Sequence, residues 1–251
     1  MLTLPLPRPT ERPYTVLCLG AHGDDIEIGC GGTLLRLLAA CPDTAVHWVV
    51  LSADALRTGE AIDSAKAFLG DARSKTILVN HFRDGFFPFL GAEIKEQFEE
   101  LKTKVSPDVI FTHHRGDLHQ DHRLIGELTW HTFRAHLILE YEVPKYDGDL
   151  GAPNVFVPLD ESVCRRKIQT LLSSFPSQRR KHWFDEDTFL SLLRLRGMEC
   201  HAPSRYAEAF YARKLVLGLG RPGNLLGIDG QPEMAAVPLA GAAAPPRGGD
   251  R

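Results

Sequence analysis

Short apolar runs alternate with amphipathic stretches along most of the chain. Residues 16–20, 45–52, 76–80 and 108–112 are mainly apolar and lie close to turn residues, as buried strands usually do. Between them, apolar side chains recur at helical spacing. Strand and helix therefore alternate as in βαβ units, which predicts an α/β fold with a mostly parallel open sheet and helices on both faces.

The same pattern sets the expected domain limits. Two more strands are predicted at 137–143 and 154–159. Residues 1–13 contain several prolines and are expected to form an N-terminal extension, while 14–220 are expected to form a single domain. From 221 to 251 the composition changes to Gly, Pro and Ala without periodicity, which predicts a flexible tail.

Composition and charge narrow the class of protein. A formal charge of −3 gives no basic field, so neither nucleic acid nor a membrane is an expected partner. The five cysteines form an odd number and include no C-x-x-C pair, which favours free thiols and a cytoplasmic location. No apolar run approaches the roughly 18 residues of a membrane span. The sequence leaves a homo-oligomer open.

The first cluster of chemically active residues follows the first predicted strand. His22, Asp24, Asp25 and Glu27 are expected to lie in a loop at the carboxyl end of that strand, before a glycine-rich entry to a helix at 29–32. Glycines at such a turn can also mark a dinucleotide site, but the G-x-G-x-x-G spacing is absent and the acidic side chains would repel a pyrophosphate. A metal site is therefore favoured over a nucleotide site.

The second cluster, THHRGDLHQDHR at 112–123, follows another strand of the predicted parallel sheet. The two clusters should face one crevice, so residues far apart in the chain could share a metal ion. Catalytic zinc takes three protein ligands and leaves one position for water. We expect His22, Asp25 and His122 to be these ligands, with other divalent ions able to replace zinc. Asp24 is expected to act as general base and His119 as acid.

Both clusters carry a family resemblance. AHGDDIEIGCGGT at 21–33 resembles the AHPDDxExGCGGT signature of the PIG-L deacetylases, also called LmbE-like, and THHRGDLHQDHR is similar to their second motif, H-x-D-H. Together and in this order the motifs are highly specific. Weaker similarity extends the resemblance over roughly 14–217.

The resemblance implies a Rossmann-like zinc hydrolase that removes an N-acetyl group from an amino sugar, such as N-acetylglucosamine, or from a sugar conjugate. It implies the same roles for His22, Asp25 and His122 as zinc ligands, for Asp24 as general base, and for His119 as the acid or carbonyl-polarising group. Asp121, inside the second motif, is counted with the catalytic residues. The expected substrate-binding residues are Arg57, Glu60, Asp84 and Asp117.

Several alternatives stay open at this point. A member of the family that binds metal or sugar without turnover is the second hypothesis. Gly23 stands where the family usually has proline, which affects the rigidity of the loop rather than the ligand set. His113 and His114 fit a structural hydrogen bond or substrate contact equally well. Loops 81–91, 144–153 and 176–184 are expected to decide specificity, although the basic stretch 177–183 is predicted to be a solvated surface.

Overall fold

One seven-stranded sheet forms the centre of the computed structural model, which describes residues 1–6, 9 and 11–216. Its strands are β1 (Tyr14–His22), β2 (Thr44–Ser52), β3 (Ser74–Val79), β4 (Val109–His113), β5 (Leu137–Tyr141), β6 (Val155–Leu159) and β7 (Tyr206–Tyr211). The order across the sheet is β3-β2-β1-β4-β5-β7-β6. Neighbours from β3 to β5 are parallel, and β7 is antiparallel to both of its neighbours. The mostly parallel α/β sheet predicted from the sequence is confirmed.

Helices cover both faces of this sheet, as predicted. They are α1 (Asp25–Ala40), α2 (Ala55–Phe68), α3 (Gly91–Lys104), α4 (Gln120–Thr132), α5 (Glu161–Ser174) and α6 (Glu186–Glu199). Helices α1, α2, α5 and α6 contribute to one apolar core, and α3 and α4 contribute to the core on the opposite face. Short 3₁₀ turns at Phe87–Phe89 and Pro176–Gln178 lie in two of the connections.

Strand β1 shows why the apolar runs are nearly continuous rather than alternating. Val16 and Cys18 belong to one core, whereas Leu17 and Leu19 belong to the other. All four are fully buried because helices cover both sides of the central strand.

The glycine-rich stretch lies inside α1 instead of leading into it, which corrects the predicted loop. The helix begins at Asp25, so only residues 23 and 24 separate it from β1. A Cβ atom on Gly29 would lie 2.1 Å from the ring of Tyr141, which shows that the aromatic side chain packs directly on the helix backbone. Helical glycine costs stability but permits this close approach.

A buried ion pair between Lys167 and Glu208 contacts the backbone of α1. Glu208 accepts hydrogen bonds from the backbone N–H groups of Gly32 and Thr33, at 2.8 and 2.6 Å. Lys167 donates to Glu208 at 2.6 Å and to the carbonyl oxygen of Ile28 at 2.7 Å. These contacts hold the turn of α1 that immediately follows its acidic first turn.

The predicted C-terminal tail and the predicted end of the domain both concern the last part of the chain. The tail predicted at 221–251, and the domain limit at 220, lie outside the described residues. Contacts within the chain define one unit from Met1 to Lys214. Among the described helices, none combines the length and apolar character required to cross a membrane.

Candidate active site

Three side chains from the two motifs meet at the carboxyl ends of β1 and β4. His22 is the last residue of β1, Asp25 begins α1 and His122 lies in the first turn of α4. His22 Nδ1 is 3.2 Å from His122 Nε2 and 3.3 Å from Asp25 Oδ2. His122 Nε2 is 3.5 Å from Asp25 Oδ1. The structure thus brings together the three predicted metal ligands, and their role as ligands stays a prediction.

Carboxylates hold the far nitrogen of each histidine. His122 Nδ1 is 3.0 Å from Asp117 Oδ2, and His22 Nε2 is 3.3 Å from Asp121 Oδ2. Asp121 is itself fixed by the backbone N–H of Gly85 at 2.7 Å. This arrangement leaves His22 Nδ1 and His122 Nε2 on the side shared with Asp25, as metal-binding histidines with supporting carboxylates usually are.

The protonation of the two histidines differs. Burial lowers the pKa of His122, and the neighbouring His113 lowers it further. Burial acts in the same direction on His22, but Asp25 and Asp121 outweigh it and raise its pKa well above the ordinary value. A bound cation would therefore have to displace a proton from His22, while His122 is already in the neutral form that binds metals.

Other donor sets overlap with this one. In the described part of the chain, three groups have candidate ligand atoms within 4.8 Å of one another: His22, His119 and His122; Asp25, His113 and His122; and His22, Asp84 and Asp121. Imidazole and carboxylate together suit zinc and other divalent transition metals. The chemistry of the donors therefore fits the predicted metal.

Asp24 lies next to the predicted ligand cluster, which is His22, Asp25 and His122, but its side chain has a different partner. Its Oδ1 accepts a hydrogen bond from Arg57 Nη2 at 2.7 Å, and the residue is only 4 % exposed. Its immediate neighbour Asp25 instead contacts the histidines. The two adjacent carboxylates are thus separated in space, which is the geometry that distinct roles for them require.

His119 occupies the N-cap position of α4. Its Nδ1 accepts a hydrogen bond from the backbone N–H of Asp121 at 3.3 Å. Burial lowers the pKa of His119, and the nearby His122 and His22 lower it further. The neutral ring that results carries its proton on Nε2, because Nδ1 is occupied as an acceptor. Its ring centroid lies 5.1 Å from that of His22, so it borders the ligand cluster.

These residues open into one cavity of about 240 Å³. Its lining consists of His22, Asp24, Asp25, Arg57, Asp84, His119, His122, Val143, Lys145, Tyr146, Asp147, Lys181 and Trp183. Asp84 Oδ1 lies 3.1 Å from His22 Nε2, and this contact is the main reason why the pKa of Asp84 is lowered to about 2. Arg57 and Asp84, both predicted to bind substrate, are therefore placed where a substrate could reach them.

Asp117 and Glu60, also predicted to bind substrate, are placed differently. Asp117 is buried and contacts His122, and Lys145 Nζ lies 3.0 Å from Asp117 Oδ2, the oxygen that also contacts His122. Glu60 accepts a hydrogen bond from the backbone N–H of Ser177 at 3.0 Å. Neither residue is part of the described lining of the cavity. Their contacts in the structure are with other residues of the chain.

The alternatives left open for His113 and His114 can now be compared with their contacts. His113 Nε2 accepts the backbone N–H of Ala21 at 2.9 Å, and His114 Nδ1 lies 2.7 Å from Glu140. Both contacts are structural hydrogen bonds. Glu27, in α1, is fully buried, and burial raises its pKa well above the ordinary value.

Sequence reasoning did not identify several residues of the cavity wall. Tyr146 and Asp147 follow β5, and Lys181 and Trp183 precede α6. Both segments were expected to influence specificity, but the basic stretch 177–183 was predicted to be merely solvated. Lys181 is exposed, as that interpretation expects, and it also lines the cavity. The clearest signal in the sequence was the tryptophan beside the basic run.

Comparison with known proteins identifies the family to which this chain belongs. A family model described as PIG-L, GlcNAc-PI de-N-acetylase, matches residues 17–133, which contain both motifs. YaiS of Escherichia coli K12, described as an uncharacterized deacetylase, is 31% identical over 167 residues, or 62% of this chain and 88% of YaiS. The chain belongs to the PIG-L family. The motifs that carry this membership are the ones that supply the ligand cluster.

Solved structures share the fold of this PIG-L protein at low identity. N,N'-diacetylchitobiose deacetylase from Pyrococcus horikoshii is 20% identical with a TM-score of 0.60, covering 83% of this chain and 86% of that one. GalB, the 4-carboxy-2-hydroxymuconate hydratase of Pseudomonas putida KT2440, is 15% identical with a TM-score of 0.65, covering 83% and 100%. The fold therefore occurs with more than one chemistry, so function must be argued from the site.

Proposed function

We propose that this protein is a metal-dependent N-deacetylase that hydrolyses the N-acetyl group of an amino sugar or of its conjugate. The observation that carries the proposal is the convergence of His22, Asp25 and His122 with Asp24 beside them. All four lie within the segment that matches the PIG-L family model. The deacetylase descriptions of the family model and of YaiS support the reaction class.

The metal in this proposal is zinc, held by His22, Asp25 and His122, with other divalent ions able to substitute. When bound, such an ion supplies Lewis-acid chemistry to a carbonyl group and to water. Asp117 and Asp121 hold the far nitrogens of the two histidines and so orient the rings. Asp121 thus contributes to catalysis by positioning His22.

Asp24 takes the proton of the attacking water in the proposed reaction. Arg57 holds one carboxylate oxygen of Asp24 at 2.7 Å and so orients the group that accepts the proton. The water oxygen forms a bond to the amide carbon, and the bond from that carbon to nitrogen then breaks. Acetate and the free amine are the products.

His119 assists at the amide. The hydrogen bond to Nδ1 leaves the Nε2 proton available for donation into the cavity. Nε2–H donates a hydrogen bond to the carbonyl oxygen and stabilises the charge that develops there. His119 then gives this proton to the departing nitrogen as general acid. Arg57 and Asp84 line the cavity and are proposed to contact the sugar.

The cavity volume of about 240 Å³ suits one sugar ring and leaves larger parts of a conjugate outside. All five cysteines are buried and free, which supports the additional proposal of a reducing, cytoplasmic location. Homo-oligomerisation is left to experiment.

Released acetate tests the proposal directly. Purified protein with added zinc is incubated with N-acetylglucosamine, N,N'-diacetylchitobiose, N-acetylglucosamine 1-phosphate and a nucleotide-linked N-acetylglucosamine. We expect acetate release from at least one of them, loss of release after chelation, and recovery with zinc. Sugar binding by zinc-loaded protein without acetate release from any of them would favour the hypothesis of a binding protein. Hydration of 4-carboxy-2-hydroxymuconate serves as the control reaction, because GalB, the hydratase of that compound, shares the fold.

A further inference from the structure

The outer wall of the cavity is built from two connections that the proposed reaction does not use. Tyr146 and Asp147 come from the connection after β5, and Lys181 and Trp183 come from the rim segment, residues 176–184, between α5 and α6. Tyr146 is 72% exposed, so its ring is accessible to a ligand. These residues border the same cavity as the ligand cluster, and a molecule bound there would extend past them.

Lys181 differs from the other two cations of the cavity. Arg57 is paired with Asp24 at 2.7 Å, and Lys145 is paired with Asp117 at 3.0 Å. For Lys181, by contrast, no carboxylate in the described part of the chain forms an ion pair within 4.0 Å. Its charge is therefore available to a ligand that enters the cavity.

The rim segment is anchored to the body of the domain. Glu60 accepts a hydrogen bond from the backbone N–H of Ser177 at 3.0 Å, and Gln178 O accepts the backbone N–H of Lys181 at 2.9 Å. Phe184, which ends the segment, is only 3 % exposed and packs in the main core. The backbone that carries Lys181 is thus held at both ends, which reduces the cost of ordering it when a ligand binds.

The ammonium group of Lys181 also has an aromatic neighbour. It lies over the ring of Trp183, 5.4 Å from the ring centroid, at a distance where cation–π attraction operates. This attraction holds the side chain at the cavity wall. The wall therefore combines an unpaired positive charge with the aromatic surfaces of Trp183 and Tyr146.

We propose that Lys181 binds a phosphate group carried by the N-acetylated sugar, so that the preferred substrate is a sugar phosphate or a phosphate-linked sugar conjugate. This inference rests on the proposed deacetylase function for its substrate class. Lysine acts as a point charge toward phosphate, and the aromatic rings can pack against a sugar. Arg57 and Lys145 also line the cavity but are already paired with carboxylates, which leaves Lys181 as the lysine or arginine of the described lining that is available to a phosphate.

Product binding tests the inference without relying on turnover. The affinities of glucosamine and glucosamine 1-phosphate for the full-length zinc-loaded protein are measured by calorimetry, in wild type and in Lys181→Met. We expect the phosphate to increase affinity about tenfold in wild type and to give little increase in Lys181→Met, with Lys181→Arg keeping most of it. Arg180→Met is the matched control, because it removes an exposed positive charge one position away and outside the described cavity lining.

The outcomes separate this inference from the proposed function. Equal affinity of wild type for the two amines, or a preference that survives in Lys181→Met, would overturn the role of Lys181. An equal loss of preference in Arg180→Met would also overturn it, because general surface charge would then account for the effect. Deacetylation of neutral sugars together with no phosphate preference would refute the inference while leaving the proposed function intact. Absence of acetate release from every substrate would instead count against the deacetylase.

Discussion

His122 Nδ1 lies 3.0 Å from Asp117 Oδ2, so the histidine of α4 that we propose as a metal ligand is held by a buried carboxylate. The hydrogen bond places the proton on Nδ1 and leaves the lone pair of Nε2 directed toward His22 and Asp25. Lys145, 3.0 Å from the same oxygen, connects this pair to the loop that follows β5. Asp117 was predicted to bind substrate, but its contacts suit a residue that positions His122, the proposed metal ligand.

Replacement of this carboxylate should weaken metal binding. Asp117→Asn keeps the shape of the side chain but removes its charge, and we expect a loss of about 10- to 100-fold in zinc affinity. Competition with a chromophoric chelator measures it. Asp149→Asn is the matched control, since Asp149 also binds Lys145, at 2.7 Å, but is not in hydrogen-bond contact with His122. Equal zinc affinities in both variants and wild type would count against a positioning role for Asp117.

His119 and His122 should respond differently to removal. His119→Ala should keep zinc and lower turnover by about 10²- to 10⁴-fold, because it removes a proton donor but no ligand. His122→Ala should lose zinc and activity together. Metal analysis and acetate release on the same samples distinguish them. Loss of zinc from His119→Ala would instead favour the overlapping set of His22, His119 and His122 as the metal site.

Zinc affinity should rise with pH across neutrality. The pKa of His22 is raised above its ordinary value of 6.5 because Asp25 and Asp121 outweigh the effect of burial. His22 is therefore protonated below this raised pKa, and a proton competes with zinc until the pH exceeds it. Asp121→Asn removes one of the charges that raise the pKa, so the rise in affinity should move to lower pH. Zinc titrations from about pH 5 to 9 measure the shift; a pH-independent affinity would refute the competition.

Gly23 should tolerate a side chain, in agreement with the proline that the family usually has at this position. A Cβ atom at this position would lie 3.4 Å from Ala61 Cβ and 3.6 Å from Phe175, which are ordinary contact distances. Its φ is outside the positive range that favours glycine. Gly23→Ala should therefore raise the free energy of unfolding by about 0.4–1 kcal/mol, measured by denaturant titration.

Gly29→Ala provides the contrast, because its Cβ would lie 2.1 Å from the ring of Tyr141. We expect it to destabilise the protein by about 1–3 kcal/mol through overpacking. Destabilisation of similar size in Gly23→Ala would show that the loop between β1 and α1 needs glycine.

The sequence predicted those features that depend on local pattern. Apolar runs such as the one containing Leu17 and Leu19 correspond to buried strands, and parallel topology places His22 and His122 at one edge of the sheet. The start of α1 was not predicted, because three glycines in a helix are locally unfavourable. They are explained by contacts from distant residues such as Tyr141, which a local pattern does not contain.

The cavity wall shows the same limit. Glu60 is near Arg57 in sequence and was assigned to the substrate, yet its partner is Ser177, more than a hundred residues away. Lys181 was predicted to be a solvated charge. It is exposed, but it also lines the cavity, and a local pattern does not contain the long-range contact that anchors the rim segment there. Long-range placement, rather than residue type, decides these roles.

We propose a division of labour between two adjacent carboxylates, with Asp25 binding metal and Asp24 moving a proton. Zinc content and acetate release measured together on Asp24→Asn and Asp25→Asn test it most directly. We expect Asp24→Asn to keep about one zinc per chain and to lose about 10²- to 10⁴-fold in turnover, whereas Asp25→Asn should lose zinc. Loss of zinc from Asp24→Asn with retention in Asp25→Asn would contradict it.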